Sequence, residues 1–336
     1  MDYNLKKNKA YELVLTVDLD KTDLDRYLNE ARKRLANDLK FDGFRQGKAP
    51  LEIAKDKLEP DRVLETAFNL AFRQSFAEVL SKEKMEVIET GDFKVKENSP
   101  ERLVYSVSLT VFPEFKIKDY RNIKVDKKEV SVSEGEVDAV LESIKRSRTA
   151  NGAAPELNDE FAKTLGRFDN VADLKKSVSE GLREEKEMRE SQRVQSVVLD
   201  KIAEGAKVEP PPVLVVRQLD QMMLDLDSDL RRQGMEMSLF LAKIKKSSDR
   251  LKEEWKPKAE LLVRKALILR EIARLEKIDV GDEEVKIKIN EFLGNFPDPA
   301  EMEKKIDLAK LADQIRQMLL NQKVLVFLEK EASADL

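Results

Sequence analysis

The stretch that decides the fold is RLVYSVSLTVF, residues 102–112. Apolar side chains stand at every second position, which predicts a β-strand with one buried face. That face carries Leu103, Tyr105, Val107, Leu109 and Val111. The segment YELVLTVD, residues 11–18, alternates in the same way with Leu13, Leu15 and Val17. Shorter strands are expected over residues 86–89 and 92–97, so the first section of the chain contains a sheet.

Helices are predicted between these strands. After Thr22, leucines and an alanine recur at helical spacing, so a helix is expected to end near Lys40, with Thr22 and Asp25 as a capping box. A short helix is expected over residues 51–58 after Pro50, and a longer one from Asp61 to about Lys84. Helices that pack on an antiparallel sheet make the first section an α+β domain.

The rest of the chain has a different pattern. Residues 115–130 are expected to form a connector with one strand, and Ser133 to cap a helix that runs to about Arg148. From Asn158 onward the pattern is helical almost throughout. The helices are expected from Asn170, over Val213–Gly234, Met237–Lys245, Asp249–Glu276, Asp282–Gly294 and Asp307–Ala332. The C-terminal domain is therefore predicted to be extended and mostly α-helical, with arm-like helices.

The break TANGAAPEL, residues 149–157, is the strongest linker signal in the chain. Together with the change of pattern near residue 114, it divides the sequence into three parts. We expect an α+β domain at 1–114, a connector and helix at 115–150, and a helical domain at 151–336.

Composition excludes several classes of function. The chain has 336 residues, of which 38% are charged and 6% aromatic, and it contains neither cysteine nor histidine. Disulfides, thiolate chemistry and the commonest general base and metal ligand are therefore absent. The longest apolar runs, such as residues 213–216, are far too short to cross a bilayer. The first residues, MDYNLKKNKAYEL, contain no apolar stretch of signal-peptide length, so a cytoplasmic location is expected.

The loop GFRQGKAP, residues 43–50, lies between two predicted helices. Gly43 and Gly47 permit backbone angles that other residues disfavour, and they could turn Phe44 and Arg45 outward together. Residues 32–57 carry eight cations and four anions in a chain whose net charge is −4. This local excess of cations favours an anionic target. The same residues are compatible with an ordinary helix–helix loop whose Phe44 packs in the core, and the residues alone leave both readings open.

GFRQGKAP resembles the ribosome-binding signature of the bacterial trigger factor family, which is roughly GFRxGKxP. All six fixed positions match: Gly43, Phe44, Arg45, Gly47, Lys48 and Pro50. The segment PELNDEFAKTLGRF, residues 155–168, followed by a charged helix, resembles the start of the family's C-terminal helical domain. The resemblance covers essentially the whole chain. It implies a chaperone that works without ATP or another cofactor, docks on ribosomal protein and RNA at the tunnel exit of the large subunit, and shelters nascent or unfolded chains.

Two departures from the family pattern stand out. Members usually carry a peptidyl-prolyl isomerase domain of the FK506-binding type, which would lie near residues 149–155, where this chain has only a few small residues. The resemblance therefore implies a chaperone that is not an enzyme. Gln46 stands where many members have a basic residue, which bears on the strength of docking.

Client binding needs exposed apolar side chains that adapt to many sequences, and methionine suits this role. Candidates cluster around Gly234 and recur in the later helices. They are Met222, Met223, Met235, Met237, Leu239, Phe240, Phe292, Phe296 and Met318. Each of them could instead be an ordinary core residue.

Other functions remain open at this level. A ribosome-independent holdase or a periplasmic folding factor of the SurA-like type would have related helical architecture, although the apparent lack of a signal peptide and the GFRQGKAP loop both oppose the second. A prolyl isomerase and a structural helical protein without clients are further alternatives. The resemblance also implies that the chain can form a homodimer when it is off the ribosome, and no membrane partner is expected.

Overall fold

The computed structural model describes residues 1–38, 57–148 and 155–333. Its four strands are β1 (Asp2–Lys9), β2 (Glu12–Asp20), β3 (Val87–Asn98) and β4 (Arg102–Val111). Its helices are α1 (Lys21–Asp38), α2 (Pro60–Lys82), α3 (Glu134–Ser147), α4 (Asp159–Leu165), α5 (Val171–Gly205), α6 (Pro212–Arg232), α7 (Met237–Ile244), α8 (Ser248–Glu276), α9 (Asp282–Gly294), α10 (Pro299–Lys305) and α11 (Leu308–Ser333). This order confirms the predicted α+β section followed by a mostly helical one.

The sheet is antiparallel throughout, in the order β1-β2-β4-β3. In the central pair, Leu15 lies opposite Val107 and Val17 opposite Tyr105, and all four are buried. Because directly opposed residues share a face, the predicted apolar alternation of both strands builds one interior surface.

Helices α1 and α2 cover that surface and pack against each other. α1 contributes Leu24, Tyr27 and Ala31 to the core, and α2 contributes Val63, Ala67 and Ala71. The start of α1 differs from the prediction. Asp20 Oδ1 accepts the hydrogen bond from the Asp23 amide at 2.9 Å, so Asp20 performs the capping role expected of Thr22.

One polar contact lies inside this core. The hydroxyls of Ser75 and Tyr105 are 2.8 Å apart, and the Ser75 hydroxyl also donates to the Ala71 carbonyl at 2.6 Å. Burial raises the pKa of Tyr105 to about 12, so the phenol stays neutral. The hydroxyls of Ser75 and Tyr105 therefore both have hydrogen-bond partners inside the core.

By its internal contacts the chain forms two compact units. One comprises residues 1–115 and 208–264, and the other comprises residues 116–207 and 265–336. In the second unit, α3, α4 and α5 pack around Val137, Leu141 and Leu174, while α9 and α11 pack around Val285 and Ile315. The expected domain boundaries at residues 114 and 150 remain a prediction.

Two local expectations are corrected. The two short strands expected at 86–89 and 92–97 are one strand, β3, whose register against β4 shifts three times. In addition, the structure contains a strand that the sequence does not predict, β1. Residues 116–132, all of them described, contain no strand and only one turn of 3₁₀ helix at Tyr120–Asn122. Below they are called the extended segment. The cap of α3 is as predicted, with Ser133 and Glu136 in a capping box.

Candidate functional site

The residues expected to dock on the ribosome lie outside the described part of the chain. These are Gly43, Phe44, Arg45, Gly47, Lys48 and Pro50. The helices that flank them in sequence, α1 and α2, are described and pack against each other.

Six of the nine predicted client-binding residues lie on α6, α7 and the turn between them. Met222, Met223, Met235, Met237 and Phe240 are half-buried, and Leu239 is 63% exposed. The turn is closed by Gly234, which has a φ of +72°, and by the Met235 amide, which donates to the Leu230 carbonyl at 2.9 Å. Because α6 and α7 pack together, these six residues belong to one local surface.

Helix α7 is apolar but unburied. Its sequence is MSLFLAKI, in which six of eight residues are apolar, and none of the eight is buried. A helix that is apolar around most of its circumference normally lies in a core. The exposure of α7 is therefore typical of a binding surface.

The other three candidates lie in the second unit. Phe292 at the end of α9 is 38% exposed and contacts Phe296 edge-to-face, with ring centroids 5.3 Å apart. Met318 on α11 is 46% exposed. The structure thus brings Phe292 and Phe296 together.

The structure exposes further apolar side chains that the sequence analysis did not identify. Val216 and Leu224, eight residues apart on α6, are 55% and 63% exposed, and Ile287 on α9 is 59% exposed. In the sequence they look like ordinary core positions of amphipathic helices. Phe93 and Val95 on β3 are also exposed, although they lie opposite the buried residues Val107 and Tyr105.

A cluster of charged groups contacts the extended segment. Glu329 of α11 is buried and accepts hydrogen bonds from Lys127 Nζ and Gln195 Nε2, each at 2.8 Å, and from the Ser191 hydroxyl. Glu190 of α5, also buried, accepts from the Lys128 amide at 2.7 Å and pairs with Arg193. Polar side chains of α5 and α11 thus hold the segment.

Lysine and arginine side chains donate to three of the segment's carbonyl groups. Arg193 donates to the Asp126 carbonyl at 2.7 Å, Lys186 to the Ser131 carbonyl at 2.7 Å, and Lys201 to the Lys124 carbonyl at 3.1 Å. At the start of the segment, Tyr120 and Arg121 both donate to Glu276 at the end of α8. These bonds replace the strand pairing that the sequence predicted.

The pKa values in this cluster fit a structural role. The Arg193 guanidinium and the Lys128 amide lower the pKa of Glu190 to about 2. The pKa of Glu329 is lowered as well, since its hydrogen bonds from Lys127, Ser191 and Gln195 outweigh an opposing desolvation effect that is the largest individual contribution. A general base needs a pKa near the working pH, and these carboxylates are shifted the other way.

Catalytic and metal chemistry find no support in the described residues. The open cleft beside the extended segment, about 680 Å³, is lined mainly by charged side chains, among them Lys127, Arg183 and Glu187. Within the described ranges, no group of three acidic residues could hold a metal ion. Nor is any described helix both long and apolar enough to span a membrane.

Comparison with protein families gives two matches. Residues 1–144 match the family described as bacterial trigger factor protein, and residues 170–329 match the C-terminus of the same family. Residues 145–169 fall in neither match.

Individual relatives agree with this result. The chain is 22% identical to the trigger factor of Clostridium kluyveri, with 97% of this chain and 98% of the relative covered. It is 21% identical to that of Halothermothrix orenii over 431 aligned positions, more than the 336 residues of this chain, so the relative has residues without a counterpart here. A solved structure reported as "Promiscuous Substrate Recognition in Folding and Assembly Activities of the Trigger Factor Chaperone" aligns with a TM-score of 0.58 at 17% identity, covering 99% of this chain and all of that one. At this identity the likeness concerns the fold.

Proposed function

Since the chain belongs to the bacterial trigger factor family of chaperones, we propose that it docks at the polypeptide exit of the large ribosomal subunit and shields nascent chains through apolar surfaces, without ATP. The observation that carries the proposal is the pair of family matches, which together span most of the chain on either side of residues 145–169.

The docking contact is assigned to the loop GFRQGKAP. Phe44, Arg45 and Lys48 would touch ribosomal protein and RNA backbone, while Gly43, Gly47 and Pro50 would set the shape of the loop. Contacts with phosphate release counterions, so the affinity for ribosomes should fall as salt rises.

Client binding is assigned first to the surface of α6 and α7. Leu239 and Leu224 are each 63% exposed, and the methionines beside them can adapt to different side chains. A related chaperone of known structure is described as promiscuous in substrate recognition. An adaptable apolar surface is the physical basis for such behaviour. Phe292, Phe296 and Met318 would add a second contact region.

The chain is proposed to act in the cytoplasm as a chaperone and not as a prolyl isomerase. The segment between the two family matches has 25 residues, too few for an isomerase domain of about a hundred. The full sequence also lacks the Gly-x₄-Gly-Lys-Ser/Thr phosphate-binding motif of many ATP-driven machines.

Co-sedimentation with vacant bacterial ribosomes at low and high salt tests the docking proposal. The chain should sediment with ribosomes at low salt and less so at high salt. The triple variant Phe44→Ala/Arg45→Ala/Lys48→Ala should lose this binding while it keeps the helical circular dichroism spectrum. Equal binding of the two proteins, or no binding by either, would leave the ribosome-independent holdase as the better description.

A second assay tests client shielding. The purified chain should suppress aggregation of a chemically unfolded protein without ATP, and Leu224→Ser/Leu239→Ser should suppress it less. Both residues are largely exposed, so the double variant should retain its fold. A chain without any such effect would be a structural helical protein.

A further inference from the structure

A group of aromatic rings lies where α2 faces β3, on the sheet. Phe68, Phe72 and Phe76 follow one another at four-residue spacing on α2, and all three are half-buried. Phe93 of β3 contacts Phe72 and Phe68, with ring centroids 5.0 and 6.0 Å apart and edge-to-face geometry. Val95 follows on the same strand, and these five residues are called the aromatic patch.

The patch is open to solvent at β3. Phe93 is 42% exposed and Val95 is 45% exposed, although they lie opposite Val107 and Tyr105, which are buried. Helices α1 and α2 therefore cover the central strands more fully than this edge. Exposed aromatic side chains in a contiguous group are a common sign of an interaction surface.

The rings are held in place before any partner binds. Phe72 stacks on Phe76 at 5.5 Å and meets Tyr105 edge-to-face at 5.1 Å, and Tyr105 is fixed by its bond to Ser75. A preordered aromatic surface loses little conformational entropy on binding, which favours it as an anchor for a flexible ligand.

Charge decides which class of partner fits. Helix α2 carries three cations and three anions, and β3 carries two cations and three anions. A nucleic-acid surface with aromatic rings would need an excess of cations to meet the phosphates. The balance of charge on α2 and β3 therefore favours an uncharged apolar partner over RNA.

We propose that the aromatic patch is a separate client-binding site for short extended segments of unfolded polypeptide that carry aromatic or large aliphatic side chains. This inference rests on the proposed chaperone function. The span from Phe68 to Phe76 is about 12 Å at the helical rise of 1.5 Å per residue, the length of about four extended residues. The site therefore recognises one or two large apolar side chains.

The patch adjoins the first client surface in the same unit. The Arg217 guanidinium of α6 donates to the Ile88 carbonyl of β3 at 3.3 Å, and Val216 beside it is 55% exposed. Exposed apolar groups thus occur on both elements joined by this bond. One unfolded chain can engage both surfaces, which raises its overall affinity by avidity.

The test uses the full chain and a fluorescent ten-residue peptide with two phenylalanines. The variant Phe93→Ser/Val95→Ser should weaken binding of this peptide about three- to ten-fold by anisotropy, as expected when a partly exposed aromatic anchor is lost. The control Met188→Ser removes an apolar side chain that is 62% exposed on the charged part of α5, and it should leave the affinity unchanged. Thermal unfolding checks that both variants fold.

Crosslinking tests the aromatic patch with an aromatic side chain kept at position 93. Benzoylphenylalanine in place of Phe93 should crosslink to the peptide, and the same group in place of Leu239 reports on the first surface. Crosslinks at residue 239 without any at 93 would overturn the patch and leave the proposed function standing. No crosslink and no peptide binding at all would overturn both. Crosslinks from residue 93 to a second copy of the chain, in place of the peptide, would make the patch a self-association surface.

Discussion

The sheet core and the extended segment are stabilised in opposite ways. In the core, Leu15, Val17, Leu103 and Leu109 are almost entirely removed from water, and the buried pair Ser75 and Tyr105 adds one polar contact. The extended segment has no strand partner, and charged side chains from α5 and α11 hold it in place. The first arrangement depends on apolar burial and the second on charge-assisted hydrogen bonds.

This difference predicts different responses to conditions. Apolar burial changes little with pH or moderate salt, whereas bonds between lysine or arginine and carboxylates weaken when the carboxylate is protonated. The extended segment joins the sheet to α3 in the chain, so its attachment can loosen while the sheet stays folded. The variants below separate the two kinds of stabilisation.

The largest effect is expected from Leu15→Ala in β2. Leu15 is fully buried, and its truncation removes apolar contacts and leaves a cavity, at a cost of about 3 kcal/mol in the free energy of unfolding of the sheet. Urea denaturation with peptide-resolved hydrogen exchange measures it. The loss should be the same at low and high salt.

Leu13→Ala is the matched control, since Leu13 lies on the same strand and face but is only half-buried. It should cost about 1 kcal/mol, in proportion to the smaller apolar area that it buries. Equal losses in the two variants would mean that burial in the core does not dominate the stability of the sheet.

A smaller effect is expected from Glu329→Gln in α11. The amide keeps the shape of the side chain but loses its charge, so the bonds from Lys127, Ser191 and Gln195 weaken. The free energy that holds the extended segment in place should fall by about 2 kcal/mol, a value typical of hydrogen bonds to charged groups. Faster hydrogen exchange in residues 124–131, with unchanged exchange in β2 and β4, is the expected result.

Glu187→Gln controls for the loss of a negative charge from the same region. Glu187 pairs with Arg183 one turn away on α5 at 2.9 Å, and both side chains are exposed. Such a pair contributes less than about 0.5 kcal/mol. If Glu187→Gln loosened the extended segment as much as Glu329→Gln does, general electrostatics and not the bonds to Glu329 would hold it.

The same contrast explains how far the sequence predicts the fold. The alternation of 102–112 and 11–18 is a local pattern, and it correctly predicts β4, β2 and their shared buried face. β1 escaped because its sequence DYNLKKNK is mostly polar, as is common for an edge strand. The conformation of the extended segment was not predicted because its bonding partners are far away in the sequence. Lys127 and Glu329, for example, are 202 residues apart, and no local sequence pattern indicates such a bond.

For the candidate sites, the sequence predicts which residues cluster but not which of them are exposed. The sequence identified the methionine-rich turn, and the structure places its six candidates on α6, α7 and the turn between them. Exposure could not be predicted, because Val216 and Leu224 have the spacing of core residues and only tertiary packing leaves them open. The aromatic patch was missed for the same reason, since α1 and α2 leave the β3 edge partly uncovered. The roles of all these residues stay predictions until binding is measured.

The last prediction concerns pH and should leave the sheet unaffected. The folded-state pKa of Glu190 is lowered to about 2, so its contribution to docking is present above the ordinary value of 4.5 and declines as the pH falls from there through about 2. The Lys128 amide bonds this carboxylate at 2.7 Å, so its NMR chemical shift should titrate with a midpoint near pH 2. A midpoint near 4.5 would show that the carboxylate is not held as described.

Arg193→Met makes that titration decisive. The hydrogen bond from the Arg193 guanidinium is the largest contribution to the lowered pKa of Glu190. Methionine keeps much of the length of the arginine side chain without its charge. The midpoint at Lys128 should therefore move upward, toward the ordinary range of a glutamate, and the segment should be released at a higher pH. Amide shifts of β2 and β4 should not follow this change. If they did, the sheet core would depend on the same charges as the extended segment, and the two regions would not be stabilised independently.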